Sequence, residues 1–129
     1  MRSELLALNG AGPGGMARWY VEHLGMRIAR GSNEPPYGHF LADSASHVMI
    51  EIYHNPADAI PDYAAQPPAR MHLAFISADP AGDRDRLLAA GAGYVEEVHL
   101  PNGGYIVTLR DPWGLPLQLV KRGSSLLLL

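Results

Sequence analysis

The chain has 129 residues, enough for one domain or for two small modules that share a core. Its net charge of −3 gives no basic surface for nucleic acid and no polybasic patch for a membrane, and the absence of cysteine excludes disulfides and thiolate metal sites. No stretch approaches the roughly 20 apolar residues of a membrane helix. The first residues lack a signal-peptide pattern, so we expect a cytoplasmic protein.

The beginning of the chain predicts a strand, a helix and a second strand. Glu4–Leu8 is a short apolar run typical of a buried strand, and a glycine-rich turn follows it at Asn9–Gly15. Met16–Leu24 carries apolar residues at helical spacing, and Gly25 suits the left-handed conformation that ends a helix. Met26–Arg30 then returns as a strand.

Two further strands complete this half. Tyr37–Ala42 and His47–Tyr53 predict a hairpin, and alternation places Glu51 on the face opposite Val48, Ile50 and Ile52. The segment His54–Arg70 holds four prolines and five alanines with little periodicity. This composition predicts a linker.

The second half predicts the same succession of elements. Asp79 is suited to cap a helix that begins at Pro80 and ends before Gly91. Arg84 belongs to an ordinary charged face of this helix, and His99 is interpreted as facing solvent. The predicted strands of this half are Met71–Ser77, Tyr94–His99, Tyr105–Arg110 and Leu115–Val120.

The two halves form an internal repeat. His72 and Gln118 each lie 67 positions after Leu5 and Glu51, respectively. Such register predicts two similar βαβββ modules that lean on each other, an α+β fold in which they pair into a curved mixed sheet around a cleft. The predicted division is a first module over 1–53, a linker over 54–70, a second module over 71–122 and a tail over 123–129. The leucines at 126–129 of this tail could pack on a neighbouring subunit, although a frayed end is favoured.

The turn Gly10–Gly15 also satisfies the pattern G-x-G-x-x-G and lies between a strand and a helix. A dinucleotide-binding domain would need this context. The predicted helix is short, however, and no acidic residue ends the next strand. The rest of the chain predicts hairpins rather than further βα units, so we rank a dinucleotide site far behind the alternatives.

Several segments resemble the vicinal oxygen chelate superfamily, which includes glyoxalase I, bleomycin-resistance proteins and extradiol dioxygenases. The first half contributes ARWYVEHLGMRIAR, and the second contributes MHLAFISAD, LLAAGAGYVEE and LRDPWGLPLQLV. The resemblance covers nearly the whole chain and implies the glyoxalase/bleomycin-resistance/dioxygenase fold. It also implies a single glyoxalase-like domain over 1–129 and a homodimer.

In metal-using members of this superfamily the cleft binds a divalent ion at four strand positions. By resemblance these positions are Leu5, Glu51, His72 and Gln118. Leu5 offers no lone pair, and Gln118 brings no charge where glutamate is common. The resemblance therefore implies a reduced site in which Glu51, His72 and Gln118 hold zinc or nickel.

Two functional hypotheses remain open. The first is a lyase- or isomerase-type enzyme on a small molecule with adjacent oxygens, in which Glu51 and His72 are catalytic; an extradiol dioxygenase is disfavoured. The second is a metal-free drug- or metabolite-binding protein of the bleomycin-resistance type. If their strand faces look inward, Tyr37, His39 and Tyr105 join Gln118 in contacting the substrate.

Overall fold

The computed structural model describes residues 1–47 and 49–126. Two compact units divide the chain, Met1–Pro61 and a second that begins at Asp62. Val48, which falls in a predicted strand, and positions 127–129 of the predicted tail lie outside the described residues. Within those described ranges, no helix has the length and apolar character needed to cross a membrane.

The first unit is a four-stranded mixed sheet with one helix. The sheet order is β1-β4-β3-β2, with β1 parallel to β4 and the other neighbours antiparallel. The elements are β1 (Leu6–Asn9), α1 (Pro13–Leu24), β2 (Arg27–Gly31), β3 (His39–Ala42) and β4 (Met49–Tyr53). This succession is the predicted βαβββ module.

Helix α1 begins at Pro13, three residues before the predicted start. Proline has a backbone already suited to the first helical position, so the two glycines after it do not delay the helix. At the other end, Gly25 adopts the left-handed conformation with φ of 68°, and its N–H bonds to Tyr20 O. The predicted glycine cap is therefore confirmed.

The core of the first unit lies between α1 and one face of the sheet. Met16 and Tyr20 of the helix are buried, as are Ile50 and Ile52 of β4. Gly10 shows how closely the layers approach, since a Cβ there would lie 3.7 Å from Ile52 and 3.9 Å from Met16. Residues on the opposite face of this sheet do not pack against α1, so the folding of this unit does not require them to be apolar.

The second unit repeats the architecture. Its sheet order is β5-β8-β7-β6, with β5 parallel to β8. The elements are a short 3₁₀ turn (Tyr63–Ala65), β5 (Leu73–Ile76), α2 (Pro80–Ala89), β6 (Gly93–His99), β7 (Tyr105–Arg110) and β8 (Pro116–Lys121). Asp79 caps α2 as predicted, because its carboxylate accepts a hydrogen bond of 3.1 Å from Gly82 N–H.

Part of the predicted linker belongs to the second unit. Tyr63 is buried, and the guanidinium of Arg110 donates to the backbone carbonyls of Tyr63 and Gln66 at 3.0 and 2.8 Å. Gly114 lies directly against Ala64, with φ of 92°. The proline- and alanine-rich composition did not reveal this anchoring, which depends on an arginine more than 40 positions away.

The repeat holds at the level of individual strand registers. Glu51 pairs with Ala7 of the parallel neighbour, and Gln118 pairs with Ala74 in the same way. Each strand that follows a helix also contains a register shift, between Ile28 and Arg30 in β2 and between Tyr94 and Glu96 in β6. The two units therefore place Glu51 and Gln118 at equivalent points of equivalent sheets.

Candidate functional site

Glu51 lies on the face of the first sheet that points away from α1. It is half-buried in β4 and pairs in register with Ala7 and Phe40. Its carboxylate lies close to the backbone of Gly38. A Cβ built on Gly38 would lie 3.5 Å from Glu51 Oε2. Within the described part of its own unit, no donor is hydrogen-bonded to this carboxylate.

Leu5 lies one residue before β1 and is half-buried. Its side chain carries no nitrogen or oxygen and cannot bind a metal ion. The superfamily resemblance indicates two positions in the first unit, Leu5 and Glu51. Only Glu51 has a side chain that can bind a metal ion.

Gln118 occupies the equivalent face of the second sheet. It pairs with Ala74 and Thr108, and its Nε2 atom donates to Thr108 Oγ1 at 3.4 Å. Because the amide donates to Thr108, its carbonyl oxygen remains directed elsewhere and can accept a hydrogen bond from a ligand.

His72 is exposed and lies one residue before β5. Its Nδ1 atom is 2.8 Å from the carbonyl oxygen of Pro68. A carbonyl only accepts, so Nδ1 carries the hydrogen and the neutral ring presents a lone pair at Nε2. This backbone contact fixes both the tautomer and the ring orientation, which prepares Nε2 to accept a proton or a hydrogen bond.

His39 and Tyr105 lie on the helix-packed faces, opposite the faces of Glu51 and Gln118. His39 pairs with the fully buried Ile52. Tyr105 shares a strand face with Val107 and Leu109, and both of these residues are fully buried. The assumption that these faces line the same side as Glu51 and Gln118 is therefore wrong; the large apolar partners in each strand were the sequence signal for the helix-packed side.

Tyr37 precedes β3 and has the left-handed backbone conformation, with φ of 60°. Together with His39 it lines a cavity beside the glycine-rich loop that leads into α1. Sequence alternation gave no indication of this cavity, because Tyr37 is not part of a strand.

A cluster on the helix side of the second sheet was missed in the sequence. Arg84 Nη1 of α2 lies 2.7 Å from Glu97 Oε1 of β6, and the hydroxyl of Tyr105 donates to the same carboxylate. The ring of His99 stacks on Tyr105 at a centroid distance of 4.1 Å. Hydrogen bonds from Tyr105 and Arg84 hold the pKa of Glu97 below its ordinary value, and the carboxylate raises the pKa of Tyr105 in return.

The donor set does not match the usual requirements of a divalent metal ion. In residues 1–47 and 49–126, no three His, Asp or Glu side chains are grouped so that they could hold one. The four positions that the resemblance indicates provide one carboxylate, one imidazole and one neutral amide, with leucine at the fourth. Catalytic zinc sites ordinarily have three strong protein ligands, so we assign no reaction step to a metal.

Sequence comparison identifies the family to which this architecture belongs. Residues 6–120 match the glyoxalase-like domain. The chain belongs to this family, and the resemblance to the vicinal oxygen chelate superfamily is confirmed. None of the curated proteins matches the sequence.

Solved structures show the same fold. A glyoxalase family protein from Bacillus cereus has a TM-score of 0.79 at 16% identity, covering 93% of each chain. A glyoxalase/bleomycin resistance protein from Streptomyces sp. CB03234 has a TM-score of 0.66 at 17% identity, covering 91% of this chain and 97% of that one. A superfamily member from Sphaerobacter thermophilus gives 0.66 at 12% identity, covering 93% and 98%.

Proposed function

We propose that this chain binds a small organic molecule without a resident metal and that Glu51 contacts it; the superfamily resemblance implies His72 as a second contact. The observation that carries the proposal is the half-buried carboxylate of Glu51, which has no donor in the described part of its unit. This solvent-accessible carboxylate is therefore available to a ligand that supplies an N–H, an O–H or a cation. The superfamily resemblance implies Gln118 as a further polar contact.

His72 complements this choice of ligand. Because Nδ1 donates to Pro68, Nε2 is the nitrogen that can accept a hydrogen bond when the ring is neutral. A hydroxyl or amide donor of the ligand can satisfy either acceptor without a metal ion. The substitution of leucine at position 5 favours this mode over metal chelation, because it adds apolar surface for the ligand's carbon skeleton.

A lyase or isomerase is the second candidate, and the orientation of His72 favours it. The carboxylate of Glu51 and the Nε2 atom of His72 are both able to accept a proton, and such a reaction needs a base beside the carbon that loses its proton. The substrate class is then a small molecule with adjacent oxygens, whose acidic C–H lies between them. In this candidate Glu51 takes the proton and His72 accepts a hydrogen bond from a substrate hydroxyl.

Ligand binding by chelator-treated protein tests the proposal. We would measure quenching of intrinsic fluorescence with metal-free bleomycin, catechol and the glutathione hemithioacetal of methylglyoxal, with and without added zinc or nickel. At least one compound should bind in the presence of EDTA. Glu51→Gln and His72→Gln should each weaken that binding about tenfold, as expected for a lost charge-assisted hydrogen bond.

Glu22→Gln is the matched control, because Glu22 is an exposed carboxylate on α1. It should leave binding unchanged. Coupling between Glu51→Gln and His72→Gln in a double-mutant cycle would support a common ligand, whereas additive effects would contradict it. Binding that occurs only with added metal would also contradict the proposal.

We also infer from the superfamily resemblance that the protein is a homodimer. Sedimentation equilibrium over a range of protein concentrations tests this directly. A single species at the mass of one chain, 14.0 kDa, would contradict it.

A further inference from the structure

The first unit contains a cavity on the opposite side of its sheet from Glu51. Its volume is about 330 Å³, and its walls include Gly12, Gly14, Ser32, Tyr37 and His39. Every wall residue belongs to the first unit, between positions 11 and 39. The cavity is therefore separate from the face on which we place the function above.

His39 is the chemically active group of this cavity. Its side chain is only 9% exposed, and Nδ1 is 2.7 Å from the carbonyl oxygen of Tyr37. Nδ1 therefore carries a hydrogen, and Nε2 presents a lone pair when the ring is neutral or a donor when it is charged. No hydrogen-bond partner for Nε2 exists among the described residues of this unit.

Two glycines keep the edge of the His39 ring accessible. A Cβ at Gly14 would lie 3.8 Å from Nε2, and a Cβ at Gly31 would lie 3.1 Å from Cδ2 and 3.4 Å from Nε2. Side chains at these positions would fill the space beside the ring. An almost buried imidazole is thus held in one orientation with its free nitrogen directed at a cavity.

The surroundings of His39 favour negative charge. Helix α1 begins here with no side-chain cap and no acidic residue in its first turn. The bond of 3.1 Å from Met16 N–H to Gly12 O lies in the first turn of this helix. The amides of Gly14 and Gly15 precede that bond and belong to the same turn. The guanidinium of Arg18 adds a positive charge close to Gly14. A Cβ built on Gly14 would lie 3.3 Å from Arg18 Nη1. No carboxylate is among the wall residues.

We propose that this cavity binds a small tetrahedral oxyanion, namely phosphate or the phosphate group of a small metabolite. Phosphate oxygens accept hydrogen bonds from the amides of Gly14 and Gly15 and from Arg18. A protonated phosphate oxygen donates to neutral His39 Nε2, and an unprotonated oxygen accepts from the charged ring. A carboxylate has no proton to donate to the neutral ring at neutral pH, so we expect phosphate to bind in preference to acetate.

Titration of the full chain with inorganic phosphate at low ionic strength, followed by ¹H–¹⁵N NMR, tests this site. We expect saturable shifts at the Gly14 and Gly15 amides and at the His39 ring nitrogens. Acetate at the same ionic strength should not reproduce them. Glycerol phosphate distinguishes the source, since tighter binding than inorganic phosphate indicates a phosphorylated metabolite and equal affinity indicates free phosphate.

A matched pair of arginine variants controls for net charge. Arg18→Gln removes the guanidinium at the cavity and should weaken phosphate binding about five- to tenfold. Arg30→Gln removes the same charge from β2, where Arg30 pairs with Phe40 and thus lies on the Glu51 side. It should leave the affinity nearly unchanged, as should Glu51→Gln, which separates this site from the function proposed above.

Three results would overturn the proposal. One is the absence of saturable shifts at Gly14, Gly15 and His39. The second is equal shifts with acetate, which would indicate general screening of the helix end. The third is equal weakening by Arg18→Gln and Arg30→Gln, which would show that only net charge matters.

Discussion

Arg84 and Glu97 connect the helix of the second unit to its edge strand through an ion pair of 2.7 Å. Both side chains are about three-quarters buried, at 24% and 25% exposure, and Tyr105 donates to the same carboxylate. The pair also ties together two elements that are only 13 residues apart in sequence but belong to different layers. Its energetic importance can be tested directly.

Removal of one partner from this pair should destabilise the second unit. We expect Arg84→Met to lower the melting temperature by a few degrees, because the carboxylate of Glu97 loses the cation that balances its charge. Arg86→Met is the matched control, since Arg86 is half-exposed and makes a weaker contact of 3.4 Å to Asp83. Thermal unfolding followed by circular dichroism measures both; equal shifts would show that the ion pair has no special role.

The same cluster should make stability depend on pH. The pKa of Glu97 is lowered in the folded protein, so its contribution is present above the ordinary carboxyl pKa and is lost as pH falls through the lowered value. The difference in unfolding free energy between the natural chain and Glu97→Gln should therefore shrink as the pH is lowered below 4. Urea unfolding at several pH values measures it; a difference that grows with acid would contradict the assignment.

Tyr105 gives the opposite pH dependence at the alkaline end. Its pKa is raised because the neutral hydroxyl donates a hydrogen bond to Glu97 that ionisation would remove, and because burial and the nearby carboxylate both disfavour a phenolate. Its stabilising contribution is present below the ordinary phenol pKa and is lost as pH rises through the raised value. Ultraviolet titration should show Tyr105 ionising late, together with Tyr94, whose pKa is raised by burial and by Glu97. Glu97→Gln should reduce this delay, and an unchanged delay in the variant would contradict the assignment.

Gly114 should tolerate no side chain. A Cβ there would lie 2.6 Å from the Cβ of Ala64 and 2.7 Å from its backbone nitrogen, and φ is 92°. We expect Gly114→Ala to cost about 2 kcal/mol or more, from a backbone clash combined with an unfavourable conformation. Gly93→Ala is the control, since nothing lies within 4 Å of the added methyl group. Chemical denaturation measures both; a small cost for Gly114→Ala would show that the segment around Ala64 moves aside freely.

Much of the fold followed from local signals. Gly25 and Asp79 mark the end of one helix and the start of the other because a left-handed cap and a carboxylate cap are determined by single residues. The repeat of Leu5 and Glu51 at His72 and Gln118 predicted two units of equal topology, and the strand registers confirm it.

The faces of the strands were harder to assign than the strands. Alternation correctly groups His39 with Leu41 and Tyr105 with Val107, but it does not say which group faces the helix. Burial decides this, because a large apolar residue releases more free energy against the helix than a polar residue does. The Arg84–Glu97 pair and the cavity at His39 were not predictable in this way, since both depend on side chains from separate elements.

The matched registers of Glu51 and Gln118 have a consequence for protein engineering. Each residue stands beside an alanine, Ala7 or Ala74, on the sheet face turned away from the helix of its own unit. Exchange of a carboxylate for an amide at such a position changes charge and hydrogen bonding while leaving the packing between sheet and helix intact. Each half can therefore be given its own chemistry at this row without repacking its core.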